Sequence, residues 1–292
     1  MGKQREEGFK VQFSDCIAEF ATRALLYEVS VTPKPGLVDR ANAGSHQDMD
    51  FYTFLNSAAA LTPYFRKMVE AGIHLSSEKP EKTFFELQEI GKAAESAMYR
   101  VTKNVNTHKG AVFSLGILCG AAGRLRGNGK ELYPEALTEE CIHMTKVPIE
   151  YFFETMGDEP DTSGCRFYRK YGIKGIRGEV MTGFPSVLKE GLPVLEELLD
   201  KGYSFDRAGS ITLLHLIATT VDTNVITRSD YLTCMQIRKG LQKLISSNKI
   251  LSTAMIELLD EEFIRSNISP GGSADLLAVS WFLHFIKSER ME

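Results

Sequence analysis

Side chains able to bind phosphate, move a proton or coordinate a cation gather in five short stretches of this chain. The longest, SVTPKPGLVDRANAGSHQDMD from Ser30 to Asp50, lacks an apolar stripe yet holds Lys34, Asp39, Arg40, Asn42, His46, Asp48 and Asp50. Pro33 and Pro35 stiffen its entry and Gly36 permits a turn, a composition that holds a loop in one shape for binding. Asp48 or Asp50 is equally suited to cap a helix beginning near Phe51. The second stretch, NVNTHKG, runs from Asn104 into a helix expected to start near His108. Unpaired N–H groups and about half a positive charge at such a start, beside Lys109, suit phosphate, while Asn106 or Thr107 is placed to cap it.

The third stretch, GIKGIRGEVMTGF, sets Gly172, Gly175, Gly178 and Gly183 around Lys174, Arg177 and Glu179. In the fourth, DTNVITR, the carboxylate, hydroxyl and amide of Asp222, Thr223 and Asn224 follow an apolar helix and suit either oxygen coordination of Mg2+ or a plain helix-end turn. The fifth, SPGGSAD, offers Gly271 and Gly272 for close backbone approach, Ser273 as a cap and Asp275 in a first turn. His215, inside LLHLIATT, reads as a core histidine, and the five cysteines read as buried hydrophobes, since no two are closer than Cys119 and Cys141 and no metal knuckle or disulfide framework is indicated.

Familiar nucleotide signatures are absent from the sequence. GNGKE at 127–131 resembles the end of a phosphate-binding loop, but the first glycine would fall on Arg124 and Glu131 stands where Ser or Thr is required. A net charge of −4, from 34 basic and 38 acidic residues, argues against nucleic acid as a partner. The N-terminal residues lack the apolar run of a signal peptide and no run spans a bilayer, so a cytoplasmic protein without a membrane partner is expected.

The elements that must position these residues read as helices. Apolar residues recur at spacings of three and four after Ser14 and after Pro80, and again over roughly 50–71, 108–126, 137–156, 184–200, 204–221, 229–246, 249–266 and 273–288, while two-residue alternation is missing. The expectation is an all-α fold of about ten helices with no significant sheet, in a single domain over 1–292 whose residues 1–13 form a loose extension. Pro63, Pro148 and Pro193 should kink or split their helices. Gly110, Gly116, Gly120 and Gly123 along one apolar helix point to close helix packing.

Taken in order, EVSVTPKPGLVDRANAGSHQDMD, NTHKG, GIRGE, DTN and SPGGSADLLA resemble the triphosphoribosyl-dephospho-CoA synthase family of citrate lyase accessory enzymes, over about residues 15–288. A close relative serving malonate decarboxylase carries out the same reaction. The resemblance implies a transferase that joins the ribose C1 of ATP to the 2′-hydroxyl of 3′-dephospho-CoA and releases adenine, supplying the acyl-carrier prosthetic group precursor. It also implies Mg2+, a downstream transferase that loads the acyl carrier protein as a further partner, and leaves a homo-oligomer open. A Mg2+-dependent N-ribosyl hydrolase and a non-catalytic helical nucleotide-binding module are the rival readings.

Such a displacement passes through an oxocarbenium-like state and needs a base for the hydroxyl, a donor for the purine and cations for the phosphates. The cations of the five stretches are Lys34, Arg40, Lys109, Lys174, Arg177 and Arg228. Lys109 and Lys34 are assigned to phosphates and Arg177 to a phosphate of either substrate, with Asp39, Arg40, Asn42, Asn106, Thr107, Asn224, Arg228, Gly271, Gly272 and Ser273 completing the substrate-binding set. Asp48, Glu179, Asp222 and Asp275 are the expected Mg2+ ligands, with Asp48, Glu179 or Asp222 as alternative bases, and His46 or His108 as the donor toward adenine.

Overall fold

The computed structural model describes residues 2–157, 162–247 and 251–289, with side chains from Gln12 onward. Thirteen α-helices follow one another: α1 (Gly2–Ser30), α2 (Phe51–His74), α3 (Pro80–Val101), α4 (Lys109–Gly127), α5 (Pro134–Thr155), α6 (Ser163–Tyr171), α7 (Gly175–Met181), α8 (Leu192–Asp200), α9 (Phe205–Thr219), α10 (Thr223–Arg228), α11 (Tyr231–Ser246), α12 (Thr253–Arg265) and α13 (Gly271–Ser288). No strand occurs among the described residues. The all-α expectation is met.

Helices α4 and α13 carry apolar residues on nearly every face and are buried accordingly, α4 against α2, α3 and α5, and α13 against α1, α9 and α4. Trp281, Phe65, Phe282, Ile17, Leu25, Leu61, Leu115 and Leu118 are enclosed where these layers meet. The interface of α2 with α4 depends on glycine: a Cβ on Gly72 would lie 2.1 Å from the Gly120 carbonyl, and one on Gly123 would lie 2.1 Å from the Val69 carbonyl. Close packing was therefore the correct reading of the α4 glycines.

Three helices exceed the expected ten. The short α6, α7 and α10 lie in regions read as connections, because six to nine residues are too few to display a full apolar stripe. Helices α2 and α5 continue through Pro63 and Pro148, so of the kink or split expected there the split does not occur. At Pro193 the chain does divide: a π-helical turn over Val187–Gly191 leads into α8, whose first turn holds the proline. The presumed N-terminal extension instead continues α1 as helix back to Gly2. No helix among the described residues is long and apolar enough to cross a membrane.

Replacing Gly123 by Ala should lower stability by about 1–3 kcal/mol despite the ~1 kcal/mol helical preference of Ala, because the new methyl meets backbone that cannot yield. Gly116→Ala should be near neutral, since its methyl meets only the flexible end of Met68 at 2.7 Å. Denaturant midpoints of the two variants check this order.

Candidate active site

All five polar stretches reach one cavity of about 1030 Å3, bounded by the 31–50 loop, the starts of α4, α10 and α13, and α7. A second hollow of about 750 Å3 between α1 and α2 is lined by Thr22, Leu26, Thr62, Pro63 and surface charges, and holds none of the residues expected to do chemistry. Lys34, His46, Asp48, Asn106, Thr107, His108, Lys109, Arg177, Glu179, Asp222, Asn224, Arg228, Gly271, Gly272 and Asp275 line the larger cavity.

Four expected substrate contacts do not line it. Asp39 is buried and folds the loop on itself, accepting hydrogen bonds from the backbone of Lys34 (3.0 Å), Ala41 (2.7 Å) and Asn42 (3.1 Å). Arg40 is exposed and pairs with Asp206 at 2.6 Å, and the Asn42 amide donates to Asp260 at 2.9 Å. Ser273 neither caps α13 nor faces the cavity; it is buried and donates to Asp222 at 2.9 Å. The loop's shape therefore comes from internal hydrogen bonding, with Asp260 also accepting from Gly36 N at 2.8 Å.

Helix starts α4, α10 and α13 converge at the cavity, and carboxylates already occupy them. Asp222 Oδ1 accepts from the N–H groups of Asn224 (2.9 Å) and Val225 (3.4 Å) in α10, while Oδ2 accepts from Ser273 N in α13 at 2.8 Å. Asp275 accepts from the Ala111 N–H in the first turn of α4, lying so close to Gly110 that a Cβ there would meet its carboxylate at 2.0 Å. Gly272 is similarly tight, a Cβ there lying 3.1 Å from Asp222. The anion site expected at the start of α4 is thus held by Asp275. Burial, then the charges of Glu28 and Asp222, push the Asp275 carboxyl well above its usual range. Burial also raises Asp222 against the pull of its N–H donors. Glu179 is raised by burial too, and is held by Ser186 Oγ at 2.6 Å and Ser186 N at 3.2 Å.

The expected Mg2+ ligands therefore do not form a protein cage. Asp222, Glu179 and Asp275 are engaged with backbone N–H groups, Asp48 is exposed beside His46, and no cluster of three or more suitable side chains occurs among the described residues. The donor set does not fit a divalent ion held by protein alone.

The cations divide as sharply. Lys34 is buried and paired with Glu28; Arg228 donates to Ser45 O (2.8 Å), Asn267 Oδ1 (2.9 Å) and His46 Nδ1 (3.0 Å), strapping the loop to the segment before α13. Lys109 is half-exposed and pairs with Glu95 at 2.9 Å. Lys174 and Arg177 remain: each lines the cavity over an aromatic face, Lys174 on Phe153 and Arg177 on Phe152, and neither has a carboxylate partner among the described residues.

Only one of the two histidines keeps a free nitrogen. Because the Arg228 guanidinium can only donate, His46 Nδ1 accepts, and Nε2 donates to Ser269 Oγ at 2.9 Å. Both nitrogens of His46 are thereby engaged. His108 Nδ1 lies 2.7 Å from Ser57 Oγ, while Nε2 is buried without a partner. Burial, with the Lys34 charge adding, lowers the imidazole to about 3, so it is neutral. Neither Asn106 nor Thr107 is the cap of α4, whose N-cap position is His108, although Asn106 Oδ1 accepts from Lys109 N at 3.2 Å.

A family model described as ATP:dephospho-CoA triphosphoribosyl transferase matches residues 14–292. The chain belongs to the ATP:dephospho-CoA triphosphoribosyl transferase family. The 2-(5″-triphosphoribosyl)-3′-dephosphocoenzyme-A synthase of Pectobacterium atrosepticum is 38% identical over 94% of this chain and 90% of its own length. The synthase of the same name from Klebsiella pneumoniae is 37% identical over 89% of this chain and 87% of its own. A crystal structure from Archaeoglobus fulgidus bearing the triphosphoribosyl-dephospho-CoA synthase name superposes with a TM-score of 0.52 at 19% identity, covering 81% of this chain and 100% of that one, which extends the likeness to the fold.

Within this triphosphoribosyl transferase fold, one cavity-lining group, Glu28, and one buried behind the cavity wall, Ser57, escaped the residue-by-residue reading. Glu28 neutralises Lys34, and Ser57 holds His108; each sits in an otherwise apolar helical pattern. Glu28 does open the first of the resembling motifs, which was the available signal, whereas Ser57 in FLNSAAA carried none.

The His108 environment has a pH signature. Below its ordinary value of 6.5 the unfolded chain takes up a proton that the folded chain refuses until about 3, so this residue removes stability as pH falls through that window, by up to ~1.4 kcal/mol per pH unit. Relative to wild type, His108→Gln should grow steadily more stable between pH 6.5 and 4.5. Paired urea titrations at several pH values measure the difference, in which the buried carboxylates common to both proteins cancel.

Proposed function

We propose that the chain transfers the 5-triphosphoribosyl group of ATP to the 2′-hydroxyl of 3′-dephospho-CoA with release of adenine, acting in the cytoplasm and supplying the enzyme that loads the acyl carrier protein. The observation that carries this reading is the pair Lys174 and Arg177: two cavity-lining cations without a carboxylate partner among the described residues, a short way along the chain from Glu179 and facing a space shared with buried carboxylates. A polyphosphate supplies the missing charge, and the aromatic faces of Phe152 and Phe153 hold the cations in place without neutralising them.

Asp275 is the base in this reading. Burial, with the charges of Glu28 and Asp222 adding, raises its affinity for a proton, and it stands at the cavity wall against the start of α4. As the new bond forms between the acceptor 2′-oxygen and ribose C1, the bond from C1 to the purine breaks and its electron pair leaves with adenine. The hydroxyl proton passes to Asp275 and from there to solvent, and the departing adenine anion takes up one proton from solvent, so the reaction balances. Asp222, on the same cavity wall and held by the N–H groups of Asn224, Val225 and Ser273, supplies negative charge opposite the cationic sugar. Since the protein's oxygen ligands are engaged elsewhere, Mg2+ is proposed to arrive as the Mg–ATP complex.

Mass spectrometry of ATP and dephospho-CoA incubated with the protein should show adenine released in step with dephospho-CoA consumed. ADP or AMP without adenine would place cleavage at phosphate and refute the reading, and adenine release without acceptor would make it a hydrolase. Arg177→Ala should weaken ATP binding about 10- to 100-fold by calorimetry, whereas Lys109→Ala, already paired with Glu95, should change it only a few-fold. Asp275→Asn keeps an oxygen for Ala111 N–H and so should fold and bind ATP while turnover falls ~10²-fold or more. Mg2+ alone should leave the melting temperature unchanged, and Mg–ATP should raise it.

A further inference from the structure

His108 is the one cavity-lining side chain whose hydrogen bonding is complete on one edge and empty on the other. Thr107 Oγ1 donates to Ser57 Oγ at 2.8 Å, and Ser57 Oγ is 2.7 Å from His108 Nδ1. Ser57 is fully buried, and among the described residues the only other oxygen or nitrogen its hydroxyl meets is that ring nitrogen. Thr107 takes one of the two lone pairs of Ser57 Oγ, and Nδ1 is the acceptor within reach of its own buried proton, so satisfying that proton makes Nδ1 the acceptor. A neutral imidazole with an accepting Nδ1 carries its hydrogen on Nε2. That N–H is buried, has no partner and belongs to a residue of the cavity wall, beside the Phe54 ring at 4.9 Å and 85°. An unsatisfied buried donor is costly, and a planar acceptor edge next to an aromatic ring is the ligand that relieves it.

We infer that Thr107 and Ser57 are positioning residues that lock His108 in its Nε2–H tautomer, and that this N–H donates a hydrogen bond to a ring nitrogen of the departing purine. The inference rests on the transfer reaction proposed above and assigns Thr107 a different task from direct substrate binding. No proton is transferred: the bond from C1 to the purine breaks, its electron pair spreads into the ring, and the hydrogen bond from His108 strengthens as the ring nitrogen gains charge. Neutrality follows from the enclosure of the ring near Lys34, which opposes an imidazolium. His46 cannot substitute, because Arg228 and Ser269 occupy both of its nitrogens.

Two measurements test this separately. In the 15N-labelled wild-type protein without substrate, His108 should show an unprotonated Nδ1 and a protonated Nε2 by NMR near neutral pH, and Ser57→Ala or Thr107→Val should shift the population toward the other tautomer. A protonated Nδ1 in wild type overturns the lock whatever the reaction proves to be. For the donor, kcat/KM is compared for ATP, 7-deaza-ATP and 3-deaza-ATP in wild type, Ser57→Ala and His108→Phe. One analogue should lose about tenfold more in wild type than in either variant, the loss expected for one neutral hydrogen bond. Equal discrimination in all three proteins overturns the purine contact. Failure of wild type to release adenine from ATP would refute the transfer reading, while the NMR result would still decide the tautomer.

Discussion

Two carboxylates set at three helix starts hold this molecule's working end together. Asp222 joins α10 to α13 through three backbone N–H groups and a hydroxyl, and Asp275 reaches from α13 to the first turn of α4. A helix start is both a set of unpaired donors and a centre of partial positive charge, so three of them would repel one another without an intervening anion. Placing the anions on side chains within the cluster satisfies the donors and draws the helices to one point. The cavity is the space left in front of that junction.

Glycine makes the junction sterically possible. Gly110 and Gly272 leave room for the Asp275 and Asp222 carboxylates, and Gly72 with Gly123 lets α2 and α4 approach backbone to backbone behind them. Because α4 is enclosed on nearly every face, its first turn is held rigidly where Asp275, His108 and Lys109 meet the cavity. A helix buried along its length is a better mount for reacting groups than a surface loop, since its end cannot move without disturbing the core.

Charge is distributed by the same economy. Most of the cations near the site are matched locally: Lys34 by Glu28, Arg40 by Asp206, Lys109 by Glu95, while Arg228 meets carbonyl, amide and imidazole acceptors. Lys174 and Arg177 rest on aromatic rings, which steady a cation while leaving its charge available. A protein of net charge −4 thereby presents local positive charge to a polyanion without a basic surface.

Helical class and the five places where chemistry would gather were legible in the sequence, because period and composition are local properties that a chain displays wherever it folds. Membership of the triphosphoribosyl transferase family was legible for a similar reason, in the order and length of motifs such as SVTPKPGLVDRANAGSHQDMD. What each residue does within those motifs was not. Asp39 and Asn42 carry the same chemistry as a ligand-binding pair, and only the closing of the loop on Asp260 shows that they bind the chain itself. Asp222 reads as metal ligand or base until Ser273, 51 residues away, fills its second oxygen. His46 and His108 are indistinguishable in sequence, and Arg228 and Ser57, from other helices, decide which of them keeps an unpartnered nitrogen. A side chain's type limits the bonds it can make, but which of them remain for a ligand depends on partners distant in the chain, and those are assigned only when the helices pack.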